Sequence, residues 1–477
     1  MNIKSSQKLH IKVLICLVFL AFLLSACDVA EDIYWEISDT VEEVTKENDW
    51  EKNNSEEVDL DDENSPAPSL EEPVVEESSG GEPPTDGDIN SKWDLWSSEE
   101  TQLRGANIWQ SLVIQEFDGD TFKGSGHIGP PFSQEDFDDL TALGANYVTI
   151  SGPGLYFEEP PYDVDWEAVE NLDNLLEMIA NADMFATISF RTGPGRSECT
   201  FWCDEDDPEV AGLFNDTVWE DQSAKEAWVE MWQFTAERYL DNPIVVGYKL
   251  MVEPNAAAVF FDLWEPDEFY PDYAGTTYDW NQFYPYLIAG IREVDTETPI
   301  LVNAEGFSAI EWLPALEIVD NPYVVYIVHQ YQPFDEYTHQ EPGGQNTYPG
   351  YFDLNWDGNP DGFDHNWLDE ELLSPVDEFT TAHGVPVGVD EFGINRWVPG
   401  GALYMNDLMG LFEERGINSS VWEWSTSWSE FEAEVHDMNF RFGPDPNNRS
   451  NTESNLMDVI KEHWALNTFR PSNVPWK

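Results

Sequence analysis

From residue 93 onward, short apolar runs alternate with longer segments in which polar and apolar positions recur with a helical period. Eight runs have the length and β-branched content of buried strands: Leu103–Trp109, Tyr147–Ser151, Phe185–Phe190, Val245–Leu250, Pro299–Asn303, Val324–His329, Val385–Val389 and Ser420–Trp424. Between them, apolar spacings of three and four predict helices over Trp166–Ala182, Ser223–Leu240, Trp280–Val294 and Asn406–Arg415. A further helix is predicted between the capping residue Ser133 and Gly144.

Eight strands that alternate with helices predict an α/β fold, a (β/α)8 TIM barrel with enlarged loops, over residues 93–477. The alternative is a doubly wound open sheet. That fold favours a glycine-rich phosphate-binding loop after its first strand, and Arg104-Gly-Ala-Asn-Ile is not such a loop. In a barrel of this kind the functional residues are expected at the carboxyl ends of the strands.

The N-terminus has the pattern of an export signal. Lys4, Lys8 and Lys12 precede an apolar run over residues 13–24, which is shorter than the roughly 20 residues of a membrane span. Leu24-Ser-Ala-Cys27 follows, and it resembles the lipobox of bacterial lipoproteins. We therefore expect residues 1–26 to be a lipoprotein signal peptide and Cys27 to carry the lipid, which would anchor the protein to a membrane in the extracytoplasmic cell envelope. An ordinary signal peptide is the alternative.

Residues 27–92 differ in composition from the rest of the chain. Positions 28–90 hold 23 Asp and Glu against two Lys, with many Ser, Pro and Gly. Such a segment buries too little apolar surface to fold, so we expect a disordered acidic tether. The whole chain has a formal net charge of −74, which opposes nucleic-acid binding because phosphates would be repelled.

Cys199 and Cys203 form a close pair among only four cysteines. Their surroundings lack the further ligands of a zinc site. In an exported chain this pair is expected to form a disulfide, with two buried reduced thiols as the alternative.

Two glutamates stand at the ends of predicted strands. Glu253 follows the fourth strand, before Pro254, and Glu391 follows the seventh, in Asp390-Glu391-Phe392-Gly393. Two carboxylates on opposite strands of one barrel mouth are a more specific signal than either residue alone.

Residues 100–430 resemble the glycoside hydrolases of the barrel clan that includes family 5, the cellulase-like enzymes. The resemblance implies that Glu253 is the general acid/base and Glu391 the nucleophile, that Tyr331 of His329-Gln-Tyr331 orients the nucleophile, and that no cofactor takes part in catalysis. We also expect a set of substrate-binding residues at the strand ends: Arg104, Asn107, Trp109, Arg191, His329, Tyr331, Trp422 and Trp424.

The implied chemistry is cleavage of a glycosidic bond with retention, which requires two carboxyl groups about 5–5.5 Å apart. The framework favours a β-1,4-linked glucan such as cellulose as the substrate. A mannan or related hemicellulose is the alternative. A hypothesis of another class is a surface lipoprotein that binds carbohydrate and has little catalytic activity.

The sequence departs from the family pattern at three places. Val252 stands where the family has Asn, and Ser151-Gly152 follows the second strand where the family has an arginine. Arg191 stands in place of the family's histidine after the third strand. We expect Arg191 to brace Glu391 in place of the missing arginine, with a salt bridge to another acid as the alternative.

The segment Asp353–Asp364 has the oxygen spacing of a twelve-residue calcium loop. The candidate ligands are Asp353, Asn355, Asp357, the backbone carbonyl of Asn359, Asp361 and Asp364, with Gly358 at the sharp turn. A structural Ca²⁺ is therefore expected here, and a plain acidic turn is the alternative.

Overall fold

The computed structural model describes residues 89–98, 101–113, 127–202, 212–354, 358–426 and 434–476. All of them belong to one unit that spans Pro84–Lys477. The predicted signal peptide, Cys27 and the tether up to residue 88 lie outside the described residues. Within the described part of the chain, no helix is both long enough and apolar enough to cross a bilayer.

Eight parallel strands close into a barrel, which confirms the predicted fold. They are β1 (Arg104–Trp109), β2 (Tyr147–Gly152), β3 (Phe185–Phe190), β4 (Val245–Lys249), β5 (Ile300–Asn303), β6 (Val324–Gln330), β7 (Val387–Phe392) and β8 (Ser419–Val421). Each strand pairs with its neighbours in the chain, and β8 pairs with β1 to close the ring. Because both faces of these strands are covered, all 43 of their residues are buried.

Among the described residues, seven α-helices of nine or more residues pack outside the barrel. They are α1 (Gln134–Ala142), α2 (Trp166–Asn181), α3 (Gln222–Tyr239), α4 (Tyr284–Arg292), α5 (Ser374–His383), α6 (Gly401–Glu414) and α7 (Asn455–Trp464). The 3₁₀ helix Ile310–Ala315 follows β5 in place of an α-helix. Asp165 begins α2 by accepting hydrogen bonds from the backbone of Glu167 and Ala168.

Shorter elements lie in the loops at the two ends of the barrel. The helical ones are Asp94–Ser97, Cys199–Trp202, Thr217–Trp219, Ala256–Phe261, Pro266–Tyr273, Trp280–Gln282, Phe334–Thr338, His365–Trp367, Leu368–Leu372, Glu434–Met438, Phe440–Phe442 and Pro471–Asn473. Two antiparallel pairs complete the structure, Ser111–Leu112 with Ile128–Gly129 and Gly350–Phe352 with Asp361–Phe363.

The amino-terminal end of the barrel is closed by apolar side chains. Leu95 and Trp96 of the helix Asp94–Ser97 pack there with Val246, Leu301 and neighbouring strand residues. The indole of Trp96 also donates a 2.9 Å hydrogen bond to the Val246 carbonyl. The opposite end, formed by the carboxyl ends of the strands, is therefore the end that offers a cleft.

β7 contains an irregularity that decides where its acidic side chains lie. Against β6, Val389 is in register with Val328 but Glu391 is in register with His329, so Asp390 is an extra residue. Side chains alternate between the two faces of a regular strand, and a bulge breaks that alternation. Asp390 and Glu391 are consecutive, yet both are buried and both approach His329 of β6.

Candidate active site

The two predicted glutamates lie together at the open end of the barrel. Glu253 follows β4 and Glu391 lies near the end of β7. One carboxylate oxygen of each, together with a ring nitrogen of His329, lie within 4.8 Å of one another. That separation suits a pair in which one carboxyl attacks and the other transfers a proton, since a water-mediated inverting pair needs roughly 6.5–9.5 Å.

A buried arginine fixes the backbone turn that carries Glu253. Glu253 has a φ of +51°, a conformation that residues other than glycine seldom adopt. Arg196, which is fully buried, donates to the carbonyls of Val252 and Glu253 at 2.7 Å each and to the carbonyl of Arg191 at 2.9 Å. These charge-assisted bonds hold the turn and thereby aim the Glu253 carboxylate into the cleft.

His329 and Tyr331 contact the two glutamates from β6 and the residue positions just after it. The Nδ1 atom of His329 lies 2.7 Å from Glu253 Oε1, and its Nε2 atom lies 3.4 Å from Asp390 Oδ1 and 3.5 Å from Glu391 Oε2. The Tyr331 hydroxyl donates to Glu391 Oε1 at 3.1 Å. The imidazole thus bridges the pair, and the phenol orients Glu391.

Lys249 and Asp390 form a buried ion pair beneath the glutamates. The Lys249 ammonium lies 3.0 Å from Asp390 Oδ2 and 3.0 Å from His329 Nε2. Neither residue was assigned a role from the sequence. The available signals were a lysine in the middle of an apolar strand and two successive acids in Asp390-Glu391.

Burial and charge set the protonation of the pair. Burial raises the pKa of both carboxyls because it disfavours their ionised forms. For Glu253, the hydrogen bond and charge of His329 and the charges of Arg191 and Lys249 outweigh burial, so its pKa lies below the usual range. For Glu391, burial and the negative charge of Glu253 prevail over these cations, and its pKa is raised.

The charge of the imidazole follows from the same neighbours. Burial lowers the pKa of His329, but the charge of Glu391 and the hydrogen bonds with Asp390 and Glu253 outweigh burial and raise it to about 9, although the Lys249 charge acts against this. The neighbouring carboxylates therefore favour the protonated ring. Burial would raise the pKa of Asp390, but Lys249 and His329 lower it, which keeps this carboxylate ionised.

Aromatic side chains and a second ion pair form one wall of the cleft. Trp109 and Trp422 pack together at the ends of β1 and β8. Glu198 accepts a 2.8 Å hydrogen bond from Arg191 and a 3.3 Å hydrogen bond from the Trp109 indole. The Arg191 guanidinium lies over the ring of Phe201, 3.9 Å from its centroid. The expected brace from Arg191 to Glu391 is replaced by this ion pair with Glu198.

Two of the predicted substrate-binding residues lie away from the cleft. Arg104 begins β1, at the closed end of the barrel, and its guanidinium pairs with Glu413 at 3.3 Å. Trp424 is 2% exposed, and its indole donates to the Asp136 carbonyl at 2.9 Å within the helix layer. Both predictions are wrong. Arg104 stands at the start of β1 rather than at its carboxyl end, and β8 ends before Trp424.

Asn107 lies in the barrel interior, where it links three strands. Its amide donates to the backbone carbonyl of Asp390 at 2.8 Å and to the carbonyl of Ser420 at 3.2 Å. It therefore supports the bulge that carries Glu391 and is fully buried beneath the cleft.

The predicted calcium loop overlaps the hairpin formed by Gly350–Phe352 and Asp361–Phe363. Asp353 accepts a hydrogen bond from Gly358 N, and Asp364 accepts from the backbone of the helix His365–Trp367. Asn355 and Asp357 lie outside the described residues. The carboxylates of Asp353 and Asp364 thus already bind backbone amides.

Cys199 is disulfide-bonded, and its predicted partner Cys203 lies outside the described residues. Glu253, His329 and Glu391 are close enough together to suit a metal ion. However, the Lys249 ammonium occupies the position next to His329 Nε2, and its positive charge would repel a cation. The arrangement is that of a carboxyl pair for acid–base and nucleophilic chemistry.

Comparison with known families gives one extensive match. The model described as Cellulase (glycosyl hydrolase family 5) matches residues 111–427, about two thirds of the chain. The matched region runs from just after β1 to just after β8, and it contains Glu253, Glu391, His329 and Tyr331.

Curated relatives and solved structures agree with that match. Endoglucanase C of Acetivibrio thermocellus is 24% identical over 328 residues, which is 61% of this chain and 86% of the relative. Endoglucanase C307 of Clostridium sp. (strain F1) matches to the same extent. The endoglucanase Cel5A of Thermotoga maritima has a TM-score of 0.51 at 18% identity, over 78% of this chain and 99% of that one. This structural likeness shows the shared barrel fold.

Proposed function

Because the chain belongs to glycosyl hydrolase family 5, the cellulases, we propose that it is a retaining endo-β-1,4-glucanase. The observation that carries this proposal is the meeting of the Glu253 and Glu391 carboxylates within 4.8 Å at the open end of the barrel. The relatives named endoglucanase support a glucan as the substrate and internal cleavage of the chain.

The proposed reaction is a double displacement. The Glu391 carboxylate attacks the anomeric carbon while the Glu253 carboxyl donates its proton to the departing glycosidic oxygen. The C–O bond to the leaving sugar breaks as the glycosyl–Glu391 ester forms. Glu253 then takes a proton from a water molecule that attacks the anomeric carbon, which breaks the C–O bond to Glu391 and releases the sugar with its original configuration. Trp422, beside the nucleophile, supplies a ring on which the first sugar stacks.

In the free site a proton shared by the two glutamates is favoured on the carboxyl that must attack. The pKa of Glu391 is raised and the pKa of Glu253 is lowered, which favours that proton on Glu391. Attack requires the reverse. We propose that a glycosidic oxygen bound beside Glu253 displaces the His329 hydrogen bond, which removes the main cause that lowers the Glu253 pKa.

Covalent trapping tests the roles. A 2-deoxy-2-fluoro cellobioside with an activated leaving group should label Glu391, because the fluorine slows release of the ester more than its formation. Peptide mapping would locate the label. A label on Glu253 would show that Glu253 is the nucleophile and Glu391 the acid/base. The pKa directions of the free site, taken alone, would favour that reversed assignment.

Substitution tests the activity. Glu253→Gln and Glu391→Gln should each lower kcat on β-1,4-glucan by at least about 10²-fold without loss of the fold. Glu177→Gln, an exposed change on α2, is the matched control. Near-normal turnover by either glutamine variant, or reducing ends released from mannan but not from glucan, would contradict the proposal.

We also propose that Cys27 is lipidated after removal of residues 1–26, so that residues 27–92 tether the enzyme to a membrane in the cell envelope. The lipobox-like sequence and the acidic composition support this. The mature protein should partition into detergent, and Cys27→Ala should abolish that partitioning. A mature protein that stays in the aqueous phase would refute the anchor.

A structural Ca²⁺ is proposed for residues 353–364. The oxygen spacing in the sequence supports it, and a bound ion would have to replace the backbone hydrogen bonds of Asp353 and Asp364. Because an ion that binds only the folded state stabilises it, adding calcium to chelator-treated protein should raise the Tm. Asp361→Asn should reduce that gain. An unchanged Tm would rule the ion out.

A further inference from the structure

A lysine lies fully buried under the catalytic pair. Lys249 is the last residue of β4, and none of its side chain is exposed. Its ammonium lies 3.0 Å from Asp390 Oδ2, 3.0 Å from His329 Nε2 and 4.0 Å from Glu391 Oε2. A buried charge costs several kcal/mol of solvation, so its retention here calls for a partner or a task.

No arginine in the described ranges forms an ion pair with Glu391. β2 ends in Ser151-Gly152, where the family resemblance led us to expect an arginine. Arg191, the substitute predicted from the sequence, forms its ion pair with Glu198 at 2.8 Å. Among the described residues, the cationic groups that form ion pairs with Glu391 are His329 at 3.5 Å and Lys249 at 4.0 Å.

The charges of the cluster balance only when Lys249 is included. The ionisable groups that face it are Glu253 after β4, His329 on β6, Asp390 and Glu391 on β7, with Arg191, Tyr147 and Tyr331 around them. Arg191 forms its ion pair with Glu198. With His329 protonated, two cations face three carboxyls, and the cluster is neutral when Glu253 and Glu391 share one proton. One protonated and one ionised glutamate is the state that the double displacement needs.

We propose that Lys249 is a positioning residue for the reaction: paired with Asp390, it places a fixed positive charge behind Glu391 that favours the ionised form this carboxyl needs for attack. The β7 bulge makes the arrangement possible, since it turns Asp390 inward toward Lys249 while Glu391 still faces the cleft. Lys249 acts through Glu391 and His329 and does not touch the substrate. This inference rests on the proposed function for its kinetic consequence but not for its electrostatic one.

The kinetic test is the pH profile of Lys249→Met, a change of similar length without the charge. Loss of a cation favours the protonated form of Glu391, so the acid limb of kcat/KM should move to higher pH by about 1 unit or more. At a pH on that limb, activity should fall by at least about 10-fold more than at the optimum. An equal loss at every pH would indicate a merely structural role and overturn the proposal.

A double variant that removes both buried charges controls for misfolding of the single variant. Lys249→Met alone leaves Asp390 buried without its lysine partner, whereas Lys249→Met/Asp390→Asn removes both charges. The double variant should fold and its acid limb should return toward the wild-type position. Lys225→Met, on the outer helix α3, is the matched control and should leave the profile unchanged. A double variant with the acid limb of the single variant would also overturn the proposal.

A second readout needs no glycosidase activity. In the wild-type protein the Lys249 charge opposes protonation of His329, so in both Lys249 variants the imidazole resonances of His329 should respond to the change. In Lys249→Met they should titrate at higher pH than in the wild type, as followed by NMR. An unchanged His329 titration would contradict the electrostatic role proposed for Lys249. If the His329 shift is present but the wild type does not cleave glucan, only the proposed function is contradicted.

Discussion

Glu305 is a buried carboxyl whose protonation should make the stability of the enzyme depend on pH. It follows β5, is 1% exposed, and accepts a 3.1 Å hydrogen bond from Ala257 N at the start of the helix Ala256–Phe261. Burial raises the pKa of Glu305 from its ordinary 4.5 to about 8, against the hydrogen bonds from the backbone of Ala257 and Gly306. Glu305→Gln replaces the protonated form with a neutral side chain of the same shape.

The size of the effect follows from this pKa difference. Between pH 4.5 and about 8 the unfolded chain loses the proton while the folded chain keeps it, so stability falls as pH rises through this window. About 1.4 kcal/mol per pKa unit gives a cost on the order of 4 kcal/mol at pH 8, which the glutamine variant avoids. For a unit of about 390 residues, that corresponds to a rise in Tm of roughly 5 °C.

The assay is calorimetry of the full chain at pH 5 and pH 8 and constant ionic strength. The wild type and Glu305→Gln should have Tm values within about 1 °C of each other at pH 5, and the variant should melt at the higher temperature at pH 8. Glu177→Gln, an exposed change, should show no such divergence. A Tm difference between wild type and Glu305→Gln that is the same at both pH values would refute the reasoning.

Four further substitutions test the placement of residues around the cleft. Arg196→Met should lower kcat by about 10²-fold with a smaller change in KM, because the turn that carries Glu253 loses its donors; an unchanged kcat would contradict this. Trp424→Ala should destabilise the protein by about 3–5 kcal/mol in denaturant titrations and spare the kcat/KM of the folded fraction, whereas Trp422→Ala should lower kcat/KM. Arg104→Ala should lower Tm and leave KM unchanged. A raised KM would show instead that Arg104 contributes to substrate binding.

The strand pattern was readable from the sequence because each strand is buried on both faces and is therefore a continuous apolar run. The predicted Phe185–Phe190 agrees with β3 at both ends. β8 is shorter than predicted, since it ends at Val421 and Trp422 already leaves the barrel. β7 extends to Phe392 because the bulge at Asp390 lets pairing continue past it. An apolar run therefore locates a strand but not its last residue.

The placement of the site residues depends on contacts that local sequence does not encode. Glu253 and Glu391 could be predicted to meet, because parallel strands present their carboxyl ends at one face. The contact between Lys249 and Asp390 joins β4 and β7 across the barrel, and it depends on a bulge for which the sequence has no local signature. Arg104 was placed in the site because it lies on the right strand, although it stands at the wrong end of it.

Because of the inserted residue in β7, the placement of the acidic side chains depends on the number of residues in that strand. Removing a single amino acid between Val389 and Phe392 would restore strict alternation, so that one inward-facing position would have to serve both the lysine of β4 and the sugar. A point substitution changes one side chain at a time, but such a deletion would move every later side chain of the strand to the opposite face. We infer that evolution can vary the side chains of this segment more freely than it can vary the number of residues in it.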